Sequence, residues 1–436
     1  MVNAISTLVG NAIEGRIYKW HGALAAANGS IYGIPALARR VLKFNPVDKS
    51  MTYIGPDFGG GMGSKWKQGA MTDSGIIYCA PWEADRGILK IDTNTDTVTE
   101  LNVNLLPERG IEMWDSCAAA LDGCVYFMPN MARRIMKIDP NNNDAMTSVG
   151  DDLGNGEFKY SGTVVGIDGC VYGLPNWSKR IIKYDLINGN TTYATTLHLE
   201  EGMYCRKGAL GRDGCIYTLV EDSQLLKIDT ANNSHCFVQN RFFSEYNGSW
   251  GNPILGIDGC IYCPPMTASR IMKYDPYKNQ ISLVGVNYDE LDDSILFKWE
   301  CGALAFDGAI YCLPSYHDRV LSIDPLKQYF LTLKSNMEEH PDELGFLFQT
   351  NDDDLTKTNF DCAVQKFGRK KVLELLKECM APVDQLCAVS NLYPFMIAAK
   401  CKQSFVSVIF FLFCQDLVSV HDTIIFQKSS TSILLL

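Results

Sequence analysis

His21, Lys67, Asp115, Arg206, Asn252 and Glu300 each follow, by one or two residues, an aromatic in the series Trp20, Trp66, Trp114, Tyr204, Trp250 and Trp299, which Tyr160 completes. A second group, Glu83, Asp85, Asn130, Asn176, Tyr316 and His317, lies around Trp82 and Trp177 or at matching places further along. Together they offer imidazoles, cations, carboxylates and amides of alternating sign, a chemistry suited to a polar ligand or a peptide. A solvated polar rim would use the same residues. All seven tryptophans fall in these two groups, where they could stack on sugar rings, planar ligands or peptide side chains. Of six histidines only His21 and His317 belong here, too few for a metal cluster.

No other motif supplies chemistry. There is no P-loop, dinucleotide glycine fingerprint, Gly-x-Ser-x-Gly elbow or His-Glu-x-x-His. The Asp352–Asp354 run lacks the glycine and spaced ligands of a calcium loop. Cys260 and Cys263 form one Cys-x-x-Cys pair without a second pair or nearby histidines, so zinc is not expected. No cofactor is expected.

The elements that position these residues are repeats. A tyrosine recurs at 32, 78, 126, 172, 217, 262 and 311, with spacings of 46, 48, 46, 45, 45 and 49 residues. Each unit reads as an aromatic, Gly-Ala, Asp-Gly, Ile-Tyr-x-x-Pro and Arg-Ile-x-Lys-Ile-Asp-Pro. Small residues suit an innermost strand a, and Asn-Gly or Asp-Gly is a hairpin turn whose central residues tolerate positive φ. Strand b carries the tyrosine and ends at proline, strand c alternates, and a looser strand d follows. Four strands at this period make a seven-bladed β-propeller over residues 1–334. Ala4 to Gly10 and Gln328 to Leu333 both fit the outer strand of blade seven, and joining the chain ends favours the first.

In propellers the d–a and b–c connections share one face. The candidate binding residues there are Trp20, His21, Trp66, Lys67, Trp82, Glu83, Trp114, Asp115, Trp177, Arg206, Trp250, Trp299, Glu300, Tyr316 and His317. An aromatic repeated in every blade reads first as blade packing, so specificity should lie where the copies differ. The paired basic residues of strand c, such as Arg134 with Lys137 and Arg180 with Lys183, read as rim charges pairing with neighbouring-blade acids. Cys124, Cys170, Cys215 and Cys260 occupy one repeated site and read as small buried hydrophobes, which implies a reducing compartment.

Residues 335–358 read as an acidic linker, 359–420 as a small α-helical region and 421–436 as a poorly ordered tail. Val372, Leu373, Leu375, Leu376 and Met380 form an apolar helical face. The ten-residue run Phe405 to Cys414 is short of the roughly twenty that a membrane span needs. Residues 1–15 lack a signal-peptide pattern, so a cytoplasmic or nuclear location is expected. An apolar content of 47% supports packed cores, and a net charge of −11 argues against nucleic-acid and anionic-membrane partners.

The repeat resembles kelch, NHL and WD40-type propellers in length. In wording it resembles an algal-type family with Asp-Gly-x-Ile-Tyr-x-x-Pro and Arg-Ile-x-Lys-Ile-Asp-Pro segments, which implies a fold and no assigned activity. It is also similar to streptogramin-lyase propellers, whose Asp-Gly precedes an Ile-Trp-Phe-type strand; here the strand reads Ile-Tyr and no matching His/Glu set is evident. Tyr393-Pro394-Phe395-Met396 through Ala398-Ala399 resembles one ankyrin repeat, departing from it at Tyr393, Phe395 and Met396. The expected function is a monomeric, non-enzymatic scaffold binding a protein or peptide on the d–a and b–c face. The alternative is an enzyme or carbohydrate binder using the central funnel for a sugar or small polar ligand.

Overall fold

The computed structural model describes residues 5–325 and 327, apart from 14–17, 61–62, 222, 239–247 and 290–296. The linker, helical and ankyrin-like readings of 335–436 lie outside the described residues. Seven four-stranded antiparallel sheets follow one another in chain order. Strand a is Trp20–Ala25, Trp66–Met71, Trp114–Ala119, Tyr160–Val165, Ala209–Leu210, Ile254–Leu255 and Trp299–Leu304 in blades one to seven. Blade seven takes its outer strand from the N-terminus: Ser6–Val9 pairs with Val320–Ile323. Ring closure therefore follows the expected choice.

Strand b is buried end to end, as in Ile31–Pro35 and Val171–Pro175. It has a hydrogen-bonded strand on each side and a neighbouring blade against each face, so an apolar run fits it better than alternation. Among the described residues a hydrophobic core joins each adjacent pair of blades. Every described cysteine is a free thiol, and all but Cys236 are buried.

The recurrent tyrosine is a latch. In blade four the Tyr172 hydroxyl donates to Asp168 Oδ2 at 2.9 Å, while Lys183 Nζ approaches the same oxygen at 2.6 Å. Tyr126, Tyr217, Tyr262 and Tyr311 bond Asp122, Asp213, Asp258 and Asp307 in the same way. The turn aspartate was expected to share the left-handed backbone of the turn. It does not: only the glycine has positive φ, +77° at Gly169, and the aspartate is kept for its carboxylate. Its Oδ1 accepts the Cys170 N–H, which pins the turn beneath the tyrosine.

Blades one and two lack that aspartate, with Asn28 and Ser74 in its place, and the next blade supplies one. Tyr32 donates to Asp96 at 2.6 Å and Tyr78 to Asp144, with Lys43 and Lys90 bonded to the same two carboxylates. The strand-c lysines were expected to pair with neighbouring-blade acids. They do so in these two blades, and with their own blade in blades three to six.

Candidate functional site

Strand a runs beside the axis, and an irregularity at its start creates the site. In blade one Trp20 pairs with Pro35 but Gly22 with Ile34, so one residue is extra. The same slip occurs after Trp66, Trp114, Tyr160 and Trp299. A bulge of this kind re-aims the side chain it adds. The aromatic turns into the blade, and the following residue turns to the axis.

In blades five and six the strand opens further. Pairing shrinks to the single bridges Cys205–Val220 and Trp250–Pro265 and resumes only at Ala209 and Ile254. Pro253 in the second gap has no N–H to give a ladder. These gaps carry Arg206, Lys207 and Asn252. The bridge also corrects the sequence register, because Cys205 and not Tyr204 holds the aromatic's place in blade five.

The result is an axial cavity of about 170 Å³ to which every blade contributes at least one side chain, among them His21, Lys67, Asp115, Ser161, Arg206, Asn252 and Glu300. Gln68 and Lys207 stand one residue further along their strands and line it too. The six polar residues singled out beside the aromatics in the sequence are thus brought together, joined by Ser161, Gln68 and Lys207, which sequence reasoning missed.

The five tryptophans are corrected. Trp20, Trp66, Trp114, Trp250 and Trp299 are no more than 2% exposed and form no collar. Each indole N–H donates to a backbone carbonyl about 20 residues later in the same blade, as Trp66 to Gly87 and Trp299 to Arg319, both at 2.9 Å. They hold strand c to strand a. Their energetic role is packing plus one satisfied buried donor.

Three of the loop residues also sit away from the cavity. His317 lies flat on Trp299, ring centroids 4.5 Å apart, and its Nδ1 accepts the Arg319 N–H. Glu83 faces Arg86 at 3.5 Å, outside the cavity lining. Trp177 is 54% exposed and packs on Phe158. By contrast Trp82 acts on the site indirectly, its ring centroid 3.4 Å from Lys67 Nζ. Tyr316 joins Tyr18 and Phe297 in an aromatic group that reaches His21 through Tyr18.

Electrostatics inside the cavity are mostly paired. Arg206 Nη1 lies 2.8 Å from Glu300 Oε1, and Lys67 Nζ lies 3.3 Å from Asp115 Oδ1. Burial raises the Glu300 carboxyl, but His21, Arg206 and Lys67 together outweigh it and hold the group below its usual value. Burial wins at Asp115, whose carboxyl is pushed up against the opposing pull of Lys67. The His21 imidazole is pushed down, first by burial, so it is neutral near pH 7. Its Nδ1 stands 3.9 Å from Glu300 Oε2, and among the described residues its buried Nε2 has no hydrogen-bond partner, nor has Gln68 Oε1. Buried polar atoms of this kind are costly unless something bonds them.

The arrangement can orient a small polar molecule, and neutral His21 can take a proton from it. Among the described residues no group of three or more His, Cys, Asp and Glu side chains is set to hold a metal ion.

No family model matches this chain, and no curated protein matches it. Solved structures do. A streptogramin B lyase is similar at 13% identity and TM-score 0.60, over 73% of this chain and 97% of that one. The hydrazine synthase of Kuenenia stuttgartiensis is similar at 13% identity and TM-score 0.54, over 72% and 98%. The WD40 propeller domain of Doa1 is similar at 11% identity and TM-score 0.52, over 73% and 98%. These likenesses span enzymes and a WD40 domain and are likenesses of fold: the chain is a seven-bladed β-propeller.

Proposed function

We propose that the propeller binds a small polar ligand in its axial cavity, the funnel reading in preference to the flat interaction platform. The observation that carries this is convergence. Seven blades built on one repeat each place a different polar side chain on one axial volume, and the repeat alone has no need of such asymmetry. A cavity of roughly 150 Å³ takes a benzene-sized molecule, so the ligand is of the size of a small amino acid, a short hydroxy acid or a triose sugar. Its polar groups would bond Nε2 of His21 and Oε1 of Gln68, which have no partner among the described residues. With neutral His21 poised as a proton acceptor, the reading extends to proton-transfer chemistry.

A thermal-shift screen of these three ligand classes, run on the wild type and on Asn252→Ala, tests the proposal. A ligand that raises the midpoint of the wild type but not of the variant supports it. No stabilisation from any class, or equal stabilisation of both proteins, overturns it. A protein or peptide partner on the same face is a second reading, favoured by the exposed Trp177 indole on its Phe158 base.

A further inference from the structure

Lys207 is the cavity cation that the pairing scheme leaves out. Lys67 and Arg206 each face a carboxylate, whereas among the described residues Lys207 has no carboxylate within ion-pair distance and no hydrogen-bond acceptor. The ionisable groups that act on it are the thiols of Cys117, Cys301 and Cys79, from blades three, seven and two. Two of these are buried strand-a residues and the third is on a strand b. Burial pushes those thiols up, Cys117 to about 12, which keeps them neutral and denies the ammonium a counter-charge. Desolvation accordingly pushes Lys207 down from the ordinary lysine value.

An amine in a weakly counter-charged cavity is the setting in which lysines act as nucleophiles.

We infer that Lys207 condenses with a small aldehyde or ketone held in the axial cavity, so that the ligand class proposed above is a carbonyl compound. The neutral amine nitrogen bonds to the carbonyl carbon, and the carbonyl oxygen leaves as water with the two amine protons. The product is an imine, and nothing is oxidised or reduced. The inference rests on the ligand-binding reading of the cavity, and the two fail separately.

The test treats the full chain with glyoxylate and cyanoborohydride at neutral pH, which reduces any imine to a stable secondary amine, and maps the modified lysines by mass spectrometry. Glycolate, the same anion without the carbonyl, is the companion probe in thermal shift. Lys207 modified at least tenfold faster than the median lysine, with the site lost in Lys207→Arg, supports the inference. The wild-type map stands on its own if the variant does not fold. Modification of Lys207 no faster than that of surface lysines overturns it. If glycolate still stabilises the protein in that case, Lys207 is a plain anion contact and the ligand-binding reading survives.

Discussion

Arg206 reaches Glu300 past blade six: Nη1 lies 2.8 Å from Oε1, and the matching position in blade six is Gly251. A Cβ at 251 would lie 2.4 Å from the Glu300 carbonyl oxygen. Gly251→Ala is therefore expected to cost about 1–3 kcal/mol by forcing strands a of blades six and seven apart. Urea denaturation reads this, with Gly60→Ala, where the nearest atom is 3.8 Å away, as the near-neutral control.

The same pair answers to charge. Removing one partner leaves a buried charge uncompensated, so Glu300→Gln should destabilise the protein by about 3–5 kcal/mol. Replacing both, as Arg206→Met with Glu300→Leu, should restore much of that. A double variant no more stable than Glu300→Gln would contradict the pairing.

His21 makes stability depend on pH. Its folded value lies below the 6.5 of a free imidazole, through burial and despite Glu300 and Asp115, while Lys67 and Arg206 act with burial. The unfolded chain then binds the proton first as pH falls, so this contribution is complete above about 6.5 and is lost below it, towards the lowered folded value. The stability difference between wild type and His21→Gln, followed by denaturation from pH 8 down to 5, should shift against the wild type below that point.

The tyrosine latches offer an exchange experiment. Asn28 Nδ2 donates to the Tyr32 hydroxyl at 2.8 Å, and Asp96 accepts from it at 2.6 Å. Asn28→Asp alone sets a second carboxylate beside Asp96 and removes a donor, a loss of roughly 1–3 kcal/mol. Adding Asp96→Asn rebuilds the arrangement of blade four, with Asp168 in the turn, and should recover most of the loss. Calorimetric midpoints of the two single variants and the double variant close the cycle.

Thiol mapping checks the cores. Burial pushes Cys79, Cys205, Cys263 and Cys301 up, and each is buried, whereas Cys236 is exposed. Brief alkylation of the native protein should modify Cys236 and spare the other ten described cysteines until denaturant is added.

Much of this was legible in the sequence, because a repeat prints its own ruler. The tyrosine spacing marked the blades, and the N-terminal strand was legible from the same pattern. Six cavity residues were found by looking beside the aromatics for what the copies do not share. What stayed hidden has one physical cause. A bulge adds a residue without disturbing a 45-residue period, so the sequence could not tell that Trp114 turns into the blade and Asp115 to the axis. Taking Tyr204 for the repeated aromatic moved blade five by one residue. The latch had a visible signal that went unread, since Asn28 and Ser74 replace aspartate just where Asp96 and Asp144 appear one blade later.

Closure by Ser6–Val9 also sets a timetable. Ser6–Val9, made before the other described strands, must wait for Val320–Ile323, more than 300 residues later, before it finds its place. His21 belongs to the first blade made and Glu300 to the last, and their meeting at 3.9 Å is among the final events of assembly. A nascent or truncated chain can hold most of its blades and still have no cavity, so ligand binding would report on whether the ring has shut.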